Sequence, residues 1–179
     1  MIVILYNIRS LHNVGSIFRT ADAAGVEKIY LTGITPVPVD RFGKMRPQFA
    51  KVSLGAEKFM AWDDSTRSLR AIGKLLETFK KDGCKIFAVE QDKNSIPYYK
   101  LATRDKRQAK RNVLILGSET KGLPQSILKQ CDKILEIPMR GALLRESRHP
   151  RRTGAGKESL NVAVSFGIVV FSLLGQNRK

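Results

Sequence analysis

Three short polar stretches hold the side chains best suited to chemistry, and each borders an apolar segment. The first is Asn13-Val14-Gly15-Ser16-Ile17-Phe18-Arg19-Thr20-Ala21, which opens a helical pattern. Asn13 is placed to cap that helix, and helix N-termini attract phosphate. Arg19 stands among apolar neighbours, either as a solvated helix-face charge or as an anion ligand. The second is Leu116-Gly117-Ser118-Glu119-Thr120-Lys121-Gly122-Leu123, between an apolar run and Pro124. Gly117 would let a ligand approach the backbone at the end of a strand, where parallel sheets bind ligands. An ordinary strand–helix turn would use Gly117 and Gly122 simply to bend. The stretch is neither a dinucleotide fingerprint nor a P-loop. The third comes in two pieces, Ile137-Pro138-Met139-Arg140-Gly141 and Ser159-Leu160-Asn161-Val162-Ala163-Val164. Pro138 ends a strand and leaves an extended backbone edge able to hold an adenine through main-chain hydrogen bonds. Ser159 can cap a final helix, with Asn161 just inside it.

Strands and helices alternate around these stretches. Apolar runs at residues 2–6, 28–32, 86–89, 113–116 and 133–137 read as buried strands. Val14, Ile17, Phe18, Ala21 and Ala24 recur at helical spacing, and Gly25 stops that helix. Asp64 or Ser65 is a cap for a helix whose apolar face is Leu69, Ile72, Leu75, Leu76 and Phe79. Residues 33–55, with Pro36, Pro38 and Pro47, read mostly as loop. The last helix is expected from near Leu160 to Leu174. The pattern is that of an α/β fold with a mostly parallel sheet flanked by helices.

With 32 Lys and Arg against 16 Asp and Glu, the 179-residue chain carries a net charge of +16, which calls for a polyanionic partner, most simply nucleic acid. Arg41, Lys44, Arg46 and Lys51 flank the Pro-rich loop, with Phe42 and Phe49 as aromatic platforms for bases. Lys100, Arg104, Lys106, Arg107, Lys110 and Arg111 form a second basic run. Either run alone could be a solvated face, but a charge excess this large favours a phosphate-binding surface. Cys84 and Cys131 are too few for a disulfide framework and are read as reduced, packed thiols of a cytoplasmic protein. The most apolar run, residues 162–174, contains Ser165, Gly167 and Ser172 and falls short of the ~20 residues of a membrane span. There is no metal-ligand cluster, and the expected metal content is none.

The three stretches in this order, with Ser53-Leu54-Gly55-Ala56-Glu57 between them, resemble the signature of the SpoU branch of the SPOUT RNA methyltransferases. The resemblance covers residues 2–174. It implies a minimal member, one domain over residues 1–179, with a deep C-terminal trefoil knot that periodicity does not reveal. It implies methyl transfer from S-adenosylmethionine to a ribose 2′-hydroxyl of RNA, with tRNA favoured over rRNA. The implied cofactor wall is Val89, Glu90, Leu116, Gly117, Ile137, Met139, Ser159 and Leu160. Arg19 takes the place of the family's catalytic arginine. A guanidinium holds its protons too firmly to serve easily as a base, so an electrostatic role on phosphate and developing alkoxide is expected. Asn13, Glu119, Ser159 and Asn161 are expected to position Arg19 and the ribose. The family also implies a homodimer through its first and last helices. Two other readings are a non-catalytic RNA-binding or ribosome-assembly factor and a knotted methyltransferase acting on a base nitrogen.

One feature departs from the family pattern. A basic stretch at residues 142–156, with Arg145, Arg148, His149, Arg151 and Arg152, separates the two pieces of the third motif. It is expected to be a tolerated insertion that contacts RNA through Arg145 and Arg148, since loop-closure entropy grows slowly with length.

Overall fold

The computed structural model describes residues 1–101, 111–139 and 159–174. In chain order the elements are β1 (Ile2–Tyr6), α1 (Leu11–Ala24), β2 (Lys28–Thr32), α2 (Pro47–Ser53), β3 (Ala61–Asp63), α3 (Leu69–Lys81), β4 (Lys85–Val89), β5 (Ile96–Pro97), β6 (Asn112–Leu116), α4 (Gln125–Leu128), β7 (Lys133–Glu136) and α5 (Val162–Leu174). Among the described residues the strands form one sheet in the order β3-β2-β1-β6-β4-β7-β5. Every pairing is parallel. The expected knot and the basic insertion at 142–156 fall on residues 140–158, which lie outside the described residues, as do Arg104, Lys106, Arg107 and Lys110.

The unbroken apolar runs follow from a sheet covered on both faces. Side chains alternate across a strand, so Val3, Leu5, Phe87, Leu114 and Leu116 enter one core while Ile4, Ile86, Ala88, Val113 and Ile115 enter the other. The first core is closed by α1 (Val14, Ile17, Phe18, Ala21) and α5 (Val162, Phe166, Val169, Val170, Leu173). The second is closed by α3 (Ile72, Leu76, Phe79) and α4 (Ile127, Leu128). Of the expected strands all five appear, the last ending at Glu136 rather than residue 137. The short strands β3 and β5 lie at the two sheet edges. Pro97 fits there because an edge strand leaves one side's amides unpaired.

Three caps sit elsewhere than the sequence suggests. Ser10, not Asn13, caps α1, its side chain accepting from the Asn13 amide. Ser68, not Asp64 or Ser65, caps α3 through the Ala71 amide. Asp63 instead takes the amide and hydroxyl of Ser65, and Asp64 pairs with Arg67 at 2.6 Å. Asn161, not Ser159, caps α5, with Oδ1 accepting from Ala163 at 2.8 Å and Val164 at 3.4 Å. The expected long loop also contains a helix, α2, started by Pro47. Its Phe49 is fully buried, packed edge-on against Phe18 at 5.1 Å, and is no platform for bases. The close crossing of α1 and α2 favours Gly15, because a Cβ there would lie 3.1 Å from the Cβ of Val52 and the neighbour would have to shift.

The Ser53–Glu57 segment is explained by its own packing. Leu54 and Gly55 both take positive φ. The half-turn lets Glu57 Oε2 accept from the Ser53 hydroxyl at 2.5 Å and the Gly55 amide at 3.1 Å. Burial pushes the Glu57 carboxyl up, but these hydrogen bonds outweigh it and hold it below its ordinary value. Asp132 behaves alike: burial raises it, while the Ile86 amide at 2.8 Å and Lys85 at 3.1 Å bring it below the usual range. A carboxyl depressed in the folded state stabilises above its unfolded value and loses that contribution as pH falls through its folded value. Stability should therefore drop below about pH 4. Urea midpoints taken between pH 7 and pH 3 check this. Asp132→Asn should lower the midpoint at pH 7 and make the acid limb shallower; an unchanged slope would remove Asp132 from the account.

Candidate active site

The carboxyl ends of β4, β6 and β7 open into a cleft of about 290 Å3. Its wall includes Val89, Glu90, Leu116, Gly117, Ile137, Met139, Ser159 and Leu160, the whole set expected to hold a cofactor. Glu119 lines it too. Ser118, Thr120, Lys121, Gly122, Gln91, Leu135, Glu136, Val162 and Ser165 complete it, and the motif reading did not single these out for this wall. Ser118 to Gly122 were within reach, being neighbours of Glu119 in one loop. Ser165 could have been found from its spacing, four residues after Asn161 on a helix.

Asn13 and Asn161 stand at the wall through Glu119. Asn13 Nδ2 donates to Glu119 Oε1 at 2.7 Å, and Asn161 Nδ2 donates to Asn13 Oδ1 at 3.0 Å. The orientations are mutually fixed. Asn161 Oδ1 is committed to capping α5, so its Nδ2 faces Asn13. Asn13 must then present its oxygen to Asn161 and its amine to the carboxylate. Because Ser10 does the capping of α1, the Asn13 side chain is free for this role. One hydrogen-bonded chain thus joins all three motifs, across sequence separations of 106 and 148 residues.

Arg19 is not part of this group. It lies roughly 9 Å further along α1 than Asn13 and about 240° around it. It is exposed and lines a separate concavity with Ser16, Thr20, Ala23, Lys51, Val52 and Phe171. Lys51, expected with the basic loop, is therefore beside Arg19 on α2. The loop itself folds on Asp40, whose Oδ1 accepts from the amides of Phe42 at 2.8 Å and Lys44 at 3.0 Å. Arg41 and Lys44 project into solvent, and Arg41 lies over the Phe42 ring at 4.7 Å. Arg46 is half-buried and donates Nε to the Val39 carbonyl at 2.9 Å. Phe42 is 71% exposed. Arg145 and Arg148 lie outside the described residues, while Lys100 and Arg111 are exposed.

The cleft is acidic in a basic protein. Glu90, Glu119 and Glu136 line it, against one cation, Lys121, among the described lining residues. Its apolar side comes from Val89, Leu116, Leu135, Ile137, Met139, Leu160 and Val162. This combination fits a partly apolar ligand bearing positive charge. Gly117 is needed by the loop itself: a Cβ there would lie 2.6 Å from the Gly122 carbonyl carbon and 2.7 Å from the Leu123 nitrogen. Neither cysteine takes part. Burial pushes Cys131 up to about 12 and it donates to the Ile127 carbonyl at 3.4 Å. Among the described residues no group of three or more His, Cys, Asp or Glu could hold a metal, and no helix is long and apolar enough to cross a membrane.

Known proteins resemble this chain in sequence and fold. The 23S rRNA (guanosine-2'-O-)-methyltransferase RlmB of Pseudomonas aeruginosa is 28% identical over 178 residues, spanning 98% of this chain and 59% of its own. The tRNA (guanosine(18)-2'-O)-methyltransferase of Aquifex aeolicus is 28% identical over 179 residues, spanning 100% of this chain and 71% of its own. The chain thus covers about three fifths of the length of the ribosomal relatives. The solved A. aeolicus TrmH/SpoU tRNA modifying enzyme superposes with a TM-score of 0.71 at 27% identity, over 98% of this chain and 74% of that one. An AdoMet-bound rRNA methyltransferase from Sinorhizobium meliloti gives 0.70 at 25% identity, over 96% and 54%. The SpoU rRNA Methylase family model matches residues 1–145, stopping short of Ser159 and Asn161. With a parallel sheet, a cleft at its carboxyl edge and a family match over most of its length, the chain belongs to the SpoU rRNA Methylase family.

Proposed function

We propose that the chain is an RNA ribose 2′-O-methyltransferase that takes its methyl group from S-adenosylmethionine. The observation that carries this reading is the acidic, partly apolar cleft at the ends of β4, β6 and β7, reached by all three motifs through the Asn161–Asn13–Glu119 chain. The apolar side chains and main-chain edges of Leu116, Ile137 and Met139 suit an adenine, and the carboxylates suit the sulfonium and ammonium charges. The cofactor supplies an activated methyl group. The protein's part is alignment of a ribose hydroxyl with it, an effect that can supply a large share of a rate enhancement. Membership of the family and the AdoMet-bound relative support this reading.

Arg19 acts on phosphate rather than as a base, together with Lys51 in the same concavity. Its place away from the cleft suits a homodimer. The 13 residues of α5 carry no charge, and Val164 and Phe171 are 50% and 47% exposed beside α1. A second copy covering them would set Arg19 at the interface. The exposed Arg41, Lys44 and Phe42 add a basic, aromatic rim for unpaired nucleotides. tRNA is the first substrate to test. 23S rRNA is the second reading, because the ribosomal and tRNA relatives match equally well at 28% identity.

Labelled S-adenosylmethionine with unmodified tRNA and rRNA should put label on a ribose, read after digestion to nucleosides. Label on a base would replace this reading with base-nitrogen chemistry, and no label together with RNA binding would favour a non-catalytic factor. Asn13→Ala removes one charge-assisted hydrogen bond of ~1.5–3 kcal/mol and should cut kcat/KM about tenfold to a hundredfold. Steady-state rates within threefold of the parent would dismiss the relay. Phe42→Ala removes a stacking platform and should weaken RNA binding by ~1–3 kcal/mol, while cofactor affinity stays put. Filter binding and calorimetry read the two separately.

A further inference from the structure

Glu90 follows β4 and is the first residue of the connection to β5. Its carboxylate does not simply face the cleft. Oε2 accepts from the Leu123 amide at 2.8 Å and Oε1 accepts from the Gln91 amide at 3.1 Å, while its own amide donates to the Leu135 carbonyl at 3.0 Å. Gly122 lies against it with φ of +63°, and a Cβ there would collide with Glu90 Oε2. Two residues on, Asp92 Oδ2 accepts from Gln125 Nε2 at 3.3 Å. The segment after β4 is therefore strapped to the segment after β6 at two points. The Gly117 backbone is pressed against Gly122 and Leu123 by the same fold of the loop.

We infer that Glu90 is a positioning residue: its carboxylate clamps the loop of residues 118–123 into the shape that forms one wall of the cofactor cleft. The inference rests on the reading of the cleft as the S-adenosylmethionine site. The loop has two anchors, Glu119 on Asn13 at one side and Leu123 on Glu90 at the other. The first ties it to the helix that bears Arg19. The second ties it to the strand whose end also lines the cleft. Gly122 is favoured on two grounds, its positive φ and the space that its hydrogen leaves for the carboxylate. Loss of the carboxylate leaves the Leu123 amide without its acceptor in a partly buried place, and the loop can relax away from the wall.

The parent protein, Glu90→Ala, Gly122→Ala and the double variant are compared in two measurements. Amide hydrogen exchange without cofactor should speed up across residues 118–123 in Glu90→Ala and leave α1 and α3 unchanged. Calorimetric titration with S-adenosylmethionine should show Kd raised about tenfold or more in Glu90→Ala, with RNA affinity within twofold of the parent. Gly122→Ala should weaken cofactor binding in the parent background and add less in the Glu90→Ala background, since the methyl group then finds the carboxylate gone. Unchanged exchange in Glu90→Ala overturns the clamp whether or not Kd rises, since a rise alone marks direct contact of the carboxylate with the cofactor, and strictly additive effects in the double variant overturn it too. A parent protein that binds no S-adenosylmethionine, but whose loop exchanges faster in Glu90→Ala, overturns the cofactor reading and leaves the clamp standing.

Discussion

The site depends on one amide group, the side chain of Asn161. An asparagine amide has one acceptor end and one donor end, and helix capping uses up the acceptor. With Oδ1 committed to the start of α5, Nδ2 can only donate, and it donates to Asn13. That contact fixes the second amide, which in turn must donate to Glu119. The chain ends on a carboxylate, a group that accepts when ionised and so completes the donor sequence without conflict. Three segments far apart in sequence are thereby set in register by the polarity of two small amides. Exchanging the ends of the Asn13 amide would break its contacts with Asn161 and Glu119, and exchanging those of Asn161 would break the α5 cap and its contact with Asn13.

A preformed cleft follows from this and from the sheet beneath it. Strands buried on both faces leave their polar backbone ends only at the sheet's edge rows. The loops leaving β4, β6 and β7 are crowded together there. Crowding is visible in Gly117 and Gly122, neither of which has room for a Cβ. Such a loop has few alternative shapes, which lowers the ordering cost that a ligand would otherwise meet. At the other side of the sheet order, the ends of β1 and β2 are tied by buried hydroxyls. Thr32 and Thr35 both donate to the Leu5 carbonyl at 3.0 Å, and Thr35 accepts from the Ile8 amide at 3.1 Å. Those bonds lead directly into Ser10 and the first turn of α1, and so fix where Asn13 stands.

Much of this was legible in the sequence, and the remainder has a common cause. Buried parallel strands announce themselves by unbroken apolar runs, and the α1 and α3 faces by their helical spacing. The cleft wall followed from the family resemblance rather than from spacing. The caps were misplaced because several cap-forming residues stand close together at each helix start, as with Ser10 and Asn13 or Ser159 and Asn161. Local propensity cannot choose between them. The choice falls to the tertiary partner: Asn13 is drawn to Glu119 and leaves Ser10 as the cap. Phe49 was misread for a related reason. Its neighbours Pro47 and Arg46 suggest an exposed loop, but Pro47 starts a helix and turns Phe49 onto Phe18. The edge strands β3 and β5, with three and two residues, are too short to carry any periodic signal. Arg19 shows the limit of a motif, which gives a residue's company in sequence and not the face of the helix on which it stands.

The distribution of charge separates two tasks that would otherwise conflict. A chain with a net charge of +16 draws a polyanion from a distance. Were the cleft basic as well, phosphates would occupy it and compete with any smaller ligand. Instead its lining residues include Glu90, Glu119 and Glu136, and the cations Arg41, Lys44, Lys51 and Arg19 stand outside it. Screening in salt shortens the long-range attraction to about 8–10 Å, while charges in a partly enclosed cleft are screened less. Among the described residues, the charges lining the cleft are thus opposite in sign to the chain's net charge. The net charge favours a nucleic acid on the rim, and the lining charges favour a cationic ligand within. Glu90 and Glu119 have further duties, since each is bonded to loop or helix donors. Their negative charge is therefore held in place by the same bonds that shape the cleft. At Glu90 and Glu119 the geometry and the electrostatics of the cleft therefore rest on the same bonds.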